Sequence, residues 1–108
     1  MIYTQSNVII IIGDCVVAPH HFVHYVYVLK SQKDKKLYIG VTEDLKRRFA
    51  EHQNGENRST KHRRPFTLVY YEAFRAKVDA HERERKLKQF KNSYKHLKDR
   101  IGKCIDSA

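Results

Sequence analysis

The side chains that could do chemistry in this 108-residue chain are two tyrosines, an arginine and a glutamate, each in a different local pattern. A phenol can hydrogen-bond a water molecule or an anion, and the planar, permanently charged guanidinium of arginine fits a phosphate better than lysine does. A carboxylate can hold Mg²⁺, which keeps several waters and takes few protein ligands. These residues are Tyr27, Tyr38, Arg48 and Glu84.

The charge of the chain favours a polyanionic partner. Lys and Arg number 22 against 12 Asp and Glu, which gives a net charge of +10 and a pI of about 9.8. A domain this basic points to nucleic acid before a membrane. The lysines and arginines all follow position 21, and several lie in a polar loop predicted at residues 54–65. These loop residues are Arg58, Lys61, Arg63 and Arg64.

Length and composition exclude several protein classes. A chain of 108 residues with 41% hydrophobic residues is one folded domain. The longest apolar stretch, residues 8–18, is shorter than the roughly 20 residues of a membrane helix. Two cysteines near opposite ends, Cys15 and Cys104, indicate free thiols and a cytoplasmic setting. The seven histidines suggest zinc, but no Cys or His pair has the spacing of a closed zinc site.

The first 21 residues differ from the rest of the chain. They contain one charged residue, Asp14, and an apolar run, Val8 to Ile12, with high β-propensity. We interpret residues 1–21 as an extension that adds a strand, or as a segment outside the native product if translation begins later. Intact-mass measurement of the native protein distinguishes these interpretations, because a mass that includes residues 1–21 excludes the later start.

Two alternating segments predict a β-hairpin that places both tyrosines together. Residues 23–29 and 37–41 alternate on either side of a polar turn at residues 31–34. If Tyr27 lies opposite Tyr38, the turn centres on Gln32 and Lys33 and both phenols project from one face of the sheet. Leu37, Ile39 and Val41 then lie on the other face. A register shift of two residues keeps this arrangement, whereas a shift of one destroys it.

Helical geometry separates neighbouring charged residues. Arg48 lies on the apolar side of the first predicted helix, whereas Arg47 points to solvent. Glu84 lies on the shoulder of the next helix's inner stripe, whereas Glu82 is solvated. The predicted inner residues are Leu45, Phe49 and His52, then Ala76, Ala80, Leu87 and Phe90, then Tyr94, Leu97 and Ile101. The predicted elements are a helix at Glu43–Asn54 between an N-cap at Thr42 and a stop at Gly55, a strand at Phe66–Phe74, a helix at Ala76–Phe90, and a short helix capped by Asn92 or Ser93.

In their order along the chain, these residues resemble the GIY-YIG nuclease domain, which is found in the N-terminal part of one excinuclease component, in some homing endonucleases and in small stand-alone bacterial proteins. The matching segments are Tyr25-Val-Tyr27, Tyr38-Ile-Gly40, Asp44-Leu-Lys-Arg-Arg48 with His52, and Arg83-Glu84 followed by Leu87-Lys88 and Phe90. The resemblance spans about residues 22–101 and leaves residues 102–108 as a tail. Each segment alone is a weak signal, but the ordered set is specific.

The resemblance implies an α+β fold, with a three-stranded antiparallel sheet flanked by helices. It also implies cleavage of nucleic acid, with DNA expected before RNA, using Mg²⁺ or Mn²⁺ and no small-molecule cofactor. The residues carried over are Tyr27 and Tyr38 as motif tyrosines, Gly40 as the motif glycine, Arg48 as the catalytic arginine, Glu84 as the metal ligand and His52 as an assisting group. The expected nucleic-acid contacts are Gly40, Arg47, Arg58, Lys61, Arg63, Arg64 and Lys88. Tyr25 departs from the family pattern, because it stands where the first motif glycine would be.

The roles of the two tyrosines stay open at this stage. A phenol with a pKa of about 10 is mostly protonated at neutral pH, and three pKa units cost about 4 kcal/mol. Tyr27 is therefore interpreted as a base or as a group that positions water, and Tyr38 as a hydrogen-bonding partner of water or phosphate. Structural interpretations compete with these roles, because paired tyrosines pack across strands, Glu84 can form a helical ion pair with Lys88, and Gly40 can serve close packing.

Two other functional classes compete with a metal-dependent endonuclease in DNA repair or recombination. The same fold could serve as a nucleic-acid-binding module with little turnover. A basic protein of this size could also dock on ribosomes or on another enzyme. The sequence leaves open the protein partners, the oligomeric state and the preference for any DNA structure.

Overall fold

The computed structural model describes residues 2–3, 9–12, 15–19 and 23–108, with side chains from residue 23 onward. The strands are β1 (Ile2–Tyr3), β2 (Ile9–Ile12), β3 (Cys15–Pro19), β4 (His24–Ser31), β5 (Leu37–Thr42) and β6 (Phe66–Phe74). The helices are α1 (Leu45–Asn54), a 3₁₀ turn (Lys61–Arg63), α2 (Lys77–Gln89), α3 (Lys91–Arg100) and α4 (Gly102–Asp106). The predicted α+β fold, with a three-stranded antiparallel sheet flanked by helices, is confirmed. None of the helices between residues 45 and 106 has the length and apolar character needed to cross a membrane.

The first three strands form an antiparallel sheet of their own. In it β2 lies between β1 and β3, with Ile2 opposite Ile11 and Ile12 opposite Cys15. The β-propensity of the isoleucine run is therefore expressed as a strand, although Val8 and the predicted boundary at residues 21 and 22 lie outside the described residues. The division of the chain at that boundary stays a prediction, as does the later start of translation.

The main sheet has the order β5-β4-β6, so that β4 is central. Tyr27 lies opposite Gly40, and Leu29 lies opposite Tyr38. The predicted pairing of Tyr27 with Tyr38 is therefore wrong by two residues. Both tyrosines still project from the same face, because side chains two residues apart along a strand point to the same side.

The hairpin loop explains the shifted register. The Ser31 hydroxyl accepts the backbone N–H groups of Lys33 and Asp34 at 3.1 Å, and the Lys35 N–H donates to the Ser31 carbonyl at 2.9 Å. Lys35 has a left-handed backbone, with φ of 62°. These bonds centre the turn on Lys33 and Asp34, one residue later than predicted.

The two faces of the main sheet form two separate clusters. The face toward α2 and α3 is mainly aliphatic, whereas the face toward α1 is mainly aromatic. The buried members of the first cluster are Val26, Val28, Ile39, Ala80, Leu87, Leu97 and Ile101. The second contains Tyr27, Leu29 and Phe66, with Tyr38, Leu45, Phe49 and Leu68 packed against them.

Helix α1 begins two residues later than predicted because Asp44, and not Thr42, caps it. The Asp44 carboxylate accepts the backbone N–H of Arg47 at 3.1 Å, while the Thr42 hydroxyl accepts the N–H of Asp44 at 3.1 Å. The helix ends at Asn54, where Gly55 adopts φ of 77° and donates its N–H to the last turn. The predicted end is thus confirmed, and the predicted start is wrong.

Helices α2 and α3 meet at Phe90, whose backbone departs from helical geometry with ψ of 113°. Its ring is 51% exposed and lies under the Arg85 guanidinium at 5.6 Å, so its predicted place in the inner stripe is wrong. Ala76 is also exposed, because the helix begins after it. Ala80 and Leu87 are buried as predicted.

The C-terminal part contains one more helix than predicted. Helix α3 starts at Lys91 without a side-chain cap, so the predicted capping by Asn92 or Ser93 is wrong. Residues 102–108, predicted as a tail, include α4. The Lys30 ammonium donates to the Ile105 carbonyl at 2.8 Å, and Ile105 packs against the aliphatic cluster. A helix of five residues is too short to produce an apolar period that a sequence could reveal.

Candidate active site

A series of buried hydrogen bonds links β4, α1 and the loop that follows α1. The Tyr27 hydroxyl lies 2.9 Å from Nε2 of His52, and Nδ1 of the same ring lies 2.9 Å from the Thr60 hydroxyl. The exposed fractions of Tyr27, His52 and Thr60 are 1%, 0% and 1%. The Thr60 hydroxyl also donates to the Asn57 carbonyl at 3.4 Å. We call Tyr27, His52 and Thr60 the buried relay.

The proton positions in the buried relay follow from its ends. Because Thr60 gives its proton to Asn57, its oxygen accepts from Nδ1 of His52, and Nε2 is left to accept the Tyr27 proton. Burial lowers the pKa of His52 to about 4, and the nearby Arg48 charge acts in the same direction. Both effects keep the imidazole neutral at neutral pH, as this assignment requires.

The phenol of Tyr27 is held in its protonated form. Burial raises the pKa of Tyr27 to about 12, against a hydrogen bond from Arg48 that lowers it. The charge of the Glu84 carboxylate adds to the increase. A buried phenol whose pKa is raised is mostly protonated at neutral pH, so the geometry disfavours proton abstraction by Tyr27 and favours a role in positioning Arg48.

Gly40 makes room for the Tyr27 ring. A Cβ atom at Gly40 would lie 2.5 Å from Cζ of Tyr27 and still closer to its hydroxyl oxygen. The two residues are directly opposite each other in the β4–β5 pairing. The structure therefore gives this motif glycine a packing role, one of the two interpretations that the sequence left open.

The two adjacent arginines of α1 point in different directions, as predicted. Arg48 donates to Glu51 at 3.0 Å, and it lies close enough to Tyr27 to lower the pKa of that phenol. Its side chain is 31% exposed, against 57% for Arg47. Arg47 forms ion pairs with Asp44 and Glu51. Arg48 therefore belongs to the site, with part of its guanidinium open to a ligand, whereas Arg47 lies on the outer surface of the helix.

Tyr38 is the more accessible of the two motif tyrosines. It lies on the edge strand β5, with its ring centroid 6.3 Å from that of Tyr27 and 5.0 Å from that of His52. It also lines an open hollow of about 250 Å³ together with Leu87 and Lys88 of α2. Tyr38 thus contacts the buried relay on one side and approaches α2 at the edge of the sheet.

Glu84 faces the tyrosines more closely than Glu82 does. Its side chain is 20% exposed, against 45% for Glu82, and its charge is one of those that raise the pKa of Tyr27. Its carboxylate accepts from the Lys88 ammonium at 3.1 Å. The ion pair places Glu84 next to Lys88, which lines the same hollow as Tyr38, and the Glu84 charge acts on the pKa of Tyr27.

The donor set for a divalent cation is small. Among the described residues, no three His, Cys, Asp or Glu side chains come close enough to hold a metal ion together. Glu51 of α1 is already paired with Arg47 and Arg48, whereas the 20% exposed Glu84 of α2 pairs with Lys88. Mg²⁺ takes one or two carboxylates, several waters and substrate phosphate oxygens, so a single partly exposed glutamate fits a weak site that the substrate completes.

Two of the four basic side chains in the loop are hydrogen-bonded within the protein, and two are exposed to solvent. Arg63 donates to the Asp34 carboxylate at 2.7 Å, which holds the pKa of Asp34 well below its usual range. Arg64 donates to the Lys61 carbonyl at 2.9 Å and lies over Gly55. Arg58 and Lys61 are exposed, and within residues 23–108 neither forms an ion pair. Arg58 and Lys61 are the two of the four predicted contacts that remain free for an anion.

The sequence did not reveal Thr60 as part of the site. Thr60 lies in a polar loop next to a basic cluster, where its residue type is typical of a turn. A single sequence contains no period that pairs it with His52, eight residues earlier. The only available signal was His52 itself, because a histidine on an inward helix face needs a partner for each ring nitrogen.

Comparison with known proteins gives four matches. The family model described as the GIY-YIG catalytic domain matches residues 23–99. The UPF0213 protein SSP2268 of Staphylococcus saprophyticus is 42% identical over 73 residues, which cover 67% of this chain and 88% of the relative. The UPF0213 protein NP_0776A of Natronomonas pharaonis is 44% identical over 73 residues, covering 67% and 85%. The solution structure of the UPF0213 protein BH0048 of Bacillus halodurans, at 36% identity, matches 69% of this chain and 80% of its own with a TM-score of 0.45.

Proposed function

The chain belongs to the GIY-YIG family, and on that premise we propose that it is a divalent-metal-dependent endonuclease that hydrolyses phosphodiester bonds of DNA. One observation carries the proposal: Tyr38 packs against Tyr27 and His52 on one side and shares an open hollow with Lys88, the ion-pair partner of Glu84, on the other. The charges of Arg48 and Glu84, on helices packed against opposite faces of the sheet, both affect the pKa of Tyr27. Three parts of the chain distant in sequence thus bring a cation, a carboxylate and phenols together. We place this activity in the cytoplasm, in the repair or recombination of branched or nicked DNA.

Arg48 is the group proposed to bind the phosphate that is cleaved. Its guanidinium donates to Glu51 at 3.0 Å and acts on Tyr27, yet its side chain remains 31% exposed. A fixed, permanently charged fork stabilises the charge that develops on phosphate oxygens without reorganising during the reaction. The buried relay holds Arg48 in turn, because Tyr27 gives its proton to His52 and leaves its oxygen to accept from Arg48.

Glu84 is the residue proposed to hold the divalent cation, with Lys88 displaced from the carboxylate. A cation bound there supplies charge neutralisation at the phosphate and lowers the pKa of coordinated water. Tyr38 is proposed to orient the attacking water, because it is the phenol that reaches the open edge of β5. This assignment moves the water-positioning role from Tyr27, the residue favoured by the sequence, to Tyr38.

The test compares two glutamates of the same helix. Purified protein is incubated with Mg²⁺ or Mn²⁺ and with branched, nicked or single-stranded DNA, beside the Glu84→Gln and Glu82→Gln variants. We expect Glu84→Gln to lose about 10²- to 10³-fold in cleavage rate, as other removals of a charge-stabilising group do, and Glu82→Gln to cleave like the unmodified protein. Equal residual cleavage by all three proteins would assign the activity to a contaminant.

A second candidate function is a nucleic-acid-binding module with little turnover. The observation in its favour is the Glu84–Lys88 ion pair, which occupies the carboxylate that we propose as the metal ligand. Binding that persists in EDTA with a steep salt dependence, together with no cleavage under any metal condition, would favour this candidate. Cleavage that Glu84→Gln abolishes would exclude it.

A further inference from the structure

A groove between α2 and α3 lies outside the candidate active site. Its volume is about 410 Å³. The lining residues are Arg83 from α2 and Ser93, His96, Leu97 and Arg100 from α3. The four α3 residues have the spacing i, i+3, i+4 and i+7, which places them on one face of that helix. Leu97 is buried at 2% exposure, and each of the other four lining side chains carries an N–H or O–H group.

Arg83 is held in a fixed orientation in this groove. Its Nε and one terminal nitrogen donate to the Glu72 carboxylate of β6 at 2.9–3.1 Å. Its other terminal nitrogen makes no hydrogen bond with the described residues. Glu72 also accepts from the Tyr70 hydroxyl at 3.1 Å. A guanidinium anchored on one edge presents its other edge to a ligand with little loss of side-chain entropy.

Arg100 adds a second positive charge to the same region. It is exposed and forms no ion pair with any described residue, and its charge acts on Tyr70, whose hydroxyl donates to Glu72. The Glu72 carboxylate balances one of the two guanidinium groups. The groove therefore keeps a net positive charge, with a hydroxyl and an imidazole beside it.

We propose that this groove binds a backbone phosphate of DNA at a second position, away from the phosphate that is cleaved. Two guanidinium groups, a hydroxyl and an imidazole suit a phosphate, and a chain with a net charge of +10 favours a polyanion over an isolated anion. This inference takes the identity of the nucleic acid, DNA, from the proposed function. Its test measures DNA binding in the absence of metal, so it does not depend on cleavage.

The placement of the groove suits a duplex that also reaches the catalytic residues. Arg83 and Glu84 are neighbours on α2, about 100° apart around the helix. Arg83 is tied to β6, whereas Glu84 pairs with Lys88, which approaches Tyr38 of β5. The two sites thus flank one helix, roughly 10–12 Å across.

The experiment measures binding of a labelled DNA duplex by fluorescence anisotropy in EDTA over a range of salt concentrations. Arg100→Ala is the test variant. Lys95→Ala is the matched control, because it removes one positive charge from the outer surface of the same helix, where Lys95 is 72% exposed and pairs with Asp99. We expect Arg100→Ala to weaken binding and to reduce the slope of log affinity against log salt by about one, the value for one lost phosphate contact.

The control and a second titration decide the outcome. We expect Lys95→Ala to leave the slope unchanged. Equal slopes for the Arg100→Ala and Lys95→Ala variants, whether reduced or not, would overturn the proposal. A second result would also overturn it: saturable binding of a deoxynucleoside monophosphate that Arg100→Ala removes, while the slope for DNA stays the same. Since no cleavage enters these measurements, a protein that binds in this way but never cuts would overturn the proposed function and leave the groove assigned.

Discussion

The two faces of the main sheet use different chemistry to bury their side chains. Toward α2 and α3 the sheet presents valines and an isoleucine, which pack without directional bonds. Toward α1 it presents Tyr27, which is buried only together with a hydrogen-bonded histidine and threonine. Among the described residues, no buried side-chain nitrogen or oxygen lacks a partner. Packing on the aliphatic face therefore requires side chains of the right volume, whereas packing on the aromatic face also requires donor and acceptor atoms at the right positions.

On the single strand β4, the residues that contribute to the apolar core and the residue that belongs to the candidate active site point to opposite faces. Alternation along β4 sends Val26 and Val28 to the aliphatic face and Tyr27 to the aromatic one. Glu84 connects the two faces of the sheet. Its helix, α2, packs on the aliphatic face, while the Glu84 carboxylate raises the pKa of Tyr27 on the aromatic face. The aliphatic face thus contributes to the site by fixing the position of α2.

The largest effect on stability is expected on the aliphatic face. Leu87→Ala removes a side chain that is 3% exposed, so we expect a loss of about 2–5 kcal/mol in the free energy of unfolding. Val78→Ala is the matched control on the same helix, because Val78 is 77% exposed and surface changes stay within about 0.5 kcal/mol. Urea denaturation measures both. A Leu87 variant as stable as the Val78 variant would show that the aliphatic face does not carry the fold.

The aromatic face is expected to make stability depend on pH. Unfolded His52 takes up a proton below its ordinary pKa of 6.5, whereas the folded residue does so only near its pKa of about 4. Unfolding therefore binds a proton between these values, and stability falls as the pH is lowered from 6.5 to 4, by up to about 3 kcal/mol. Above pH 6.5 this contribution is constant.

A variant isolates the part of the pH dependence that belongs to His52. The Asp34–Arg63 pair also weakens in acid, so the unmodified protein alone does not identify the group. We expect His52→Gln to have a lower stability at pH 7 and a flatter dependence between pH 6.5 and 4. If both proteins lose stability in parallel over that range, His52 is not held neutral by the fold.

The same contrast explains which features the sequence could predict. Periodicity revealed the faces of the sheet, the orientation of Arg48 against Arg47, and the inward turn of Glu84, because these depend only on the repeat of a strand or helix. The register of the hairpin and the start of α1 were missed because a side chain bonds the backbone there, Ser31 in the hairpin and Asp44 at the helix. Thr60 was missed because its partner is set by tertiary packing. Neither a side-chain bond to the nearby backbone nor a partner set by tertiary packing produces a periodic signal in the sequence.

A smaller effect on the free energy of unfolding is expected from a substitution at Gly40, which lies opposite Tyr27 in the hairpin. Gly40→Ala places a methyl group 2.5 Å from Cζ of Tyr27, so the ring or the strand must move, at a cost of about 1–3 kcal/mol. Gly102→Ala is the control, because nothing lies within 4 Å of the added atom. We expect Gly40→Ala also to weaken the Tyr27–His52 bond, seen as a histidine pKa that moves back toward 6.5 in an NMR titration. A Gly40 variant as stable as the Gly102 variant, with the titration unchanged, would remove the packing role.

The smallest effect, and the most specific, is expected from Thr60. Thr60→Val keeps the shape of the side chain but leaves Nδ1–H of His52 buried without an acceptor, so we expect a loss of roughly 1–2 kcal/mol in the free energy of unfolding. The imidazole then regains a choice of tautomer, because Nε2–H can donate to the Tyr27 oxygen in place of the present bond. Nitrogen chemical shifts of His52 report this change directly.

Thr60→Ser separates the hydroxyl from the volume around it. Serine keeps the oxygen that accepts from Nδ1 and loses only a methyl group, so we expect the His52 tautomer of the unmodified protein with a modest loss of stability. A valine variant that keeps the Nδ1–H tautomer would show that Tyr27 and Arg48 alone fix the ring. Rescue by serine would instead show that a loop outside the sheet determines which atom of His52 faces Tyr27, and through Tyr27 how Arg48 is held.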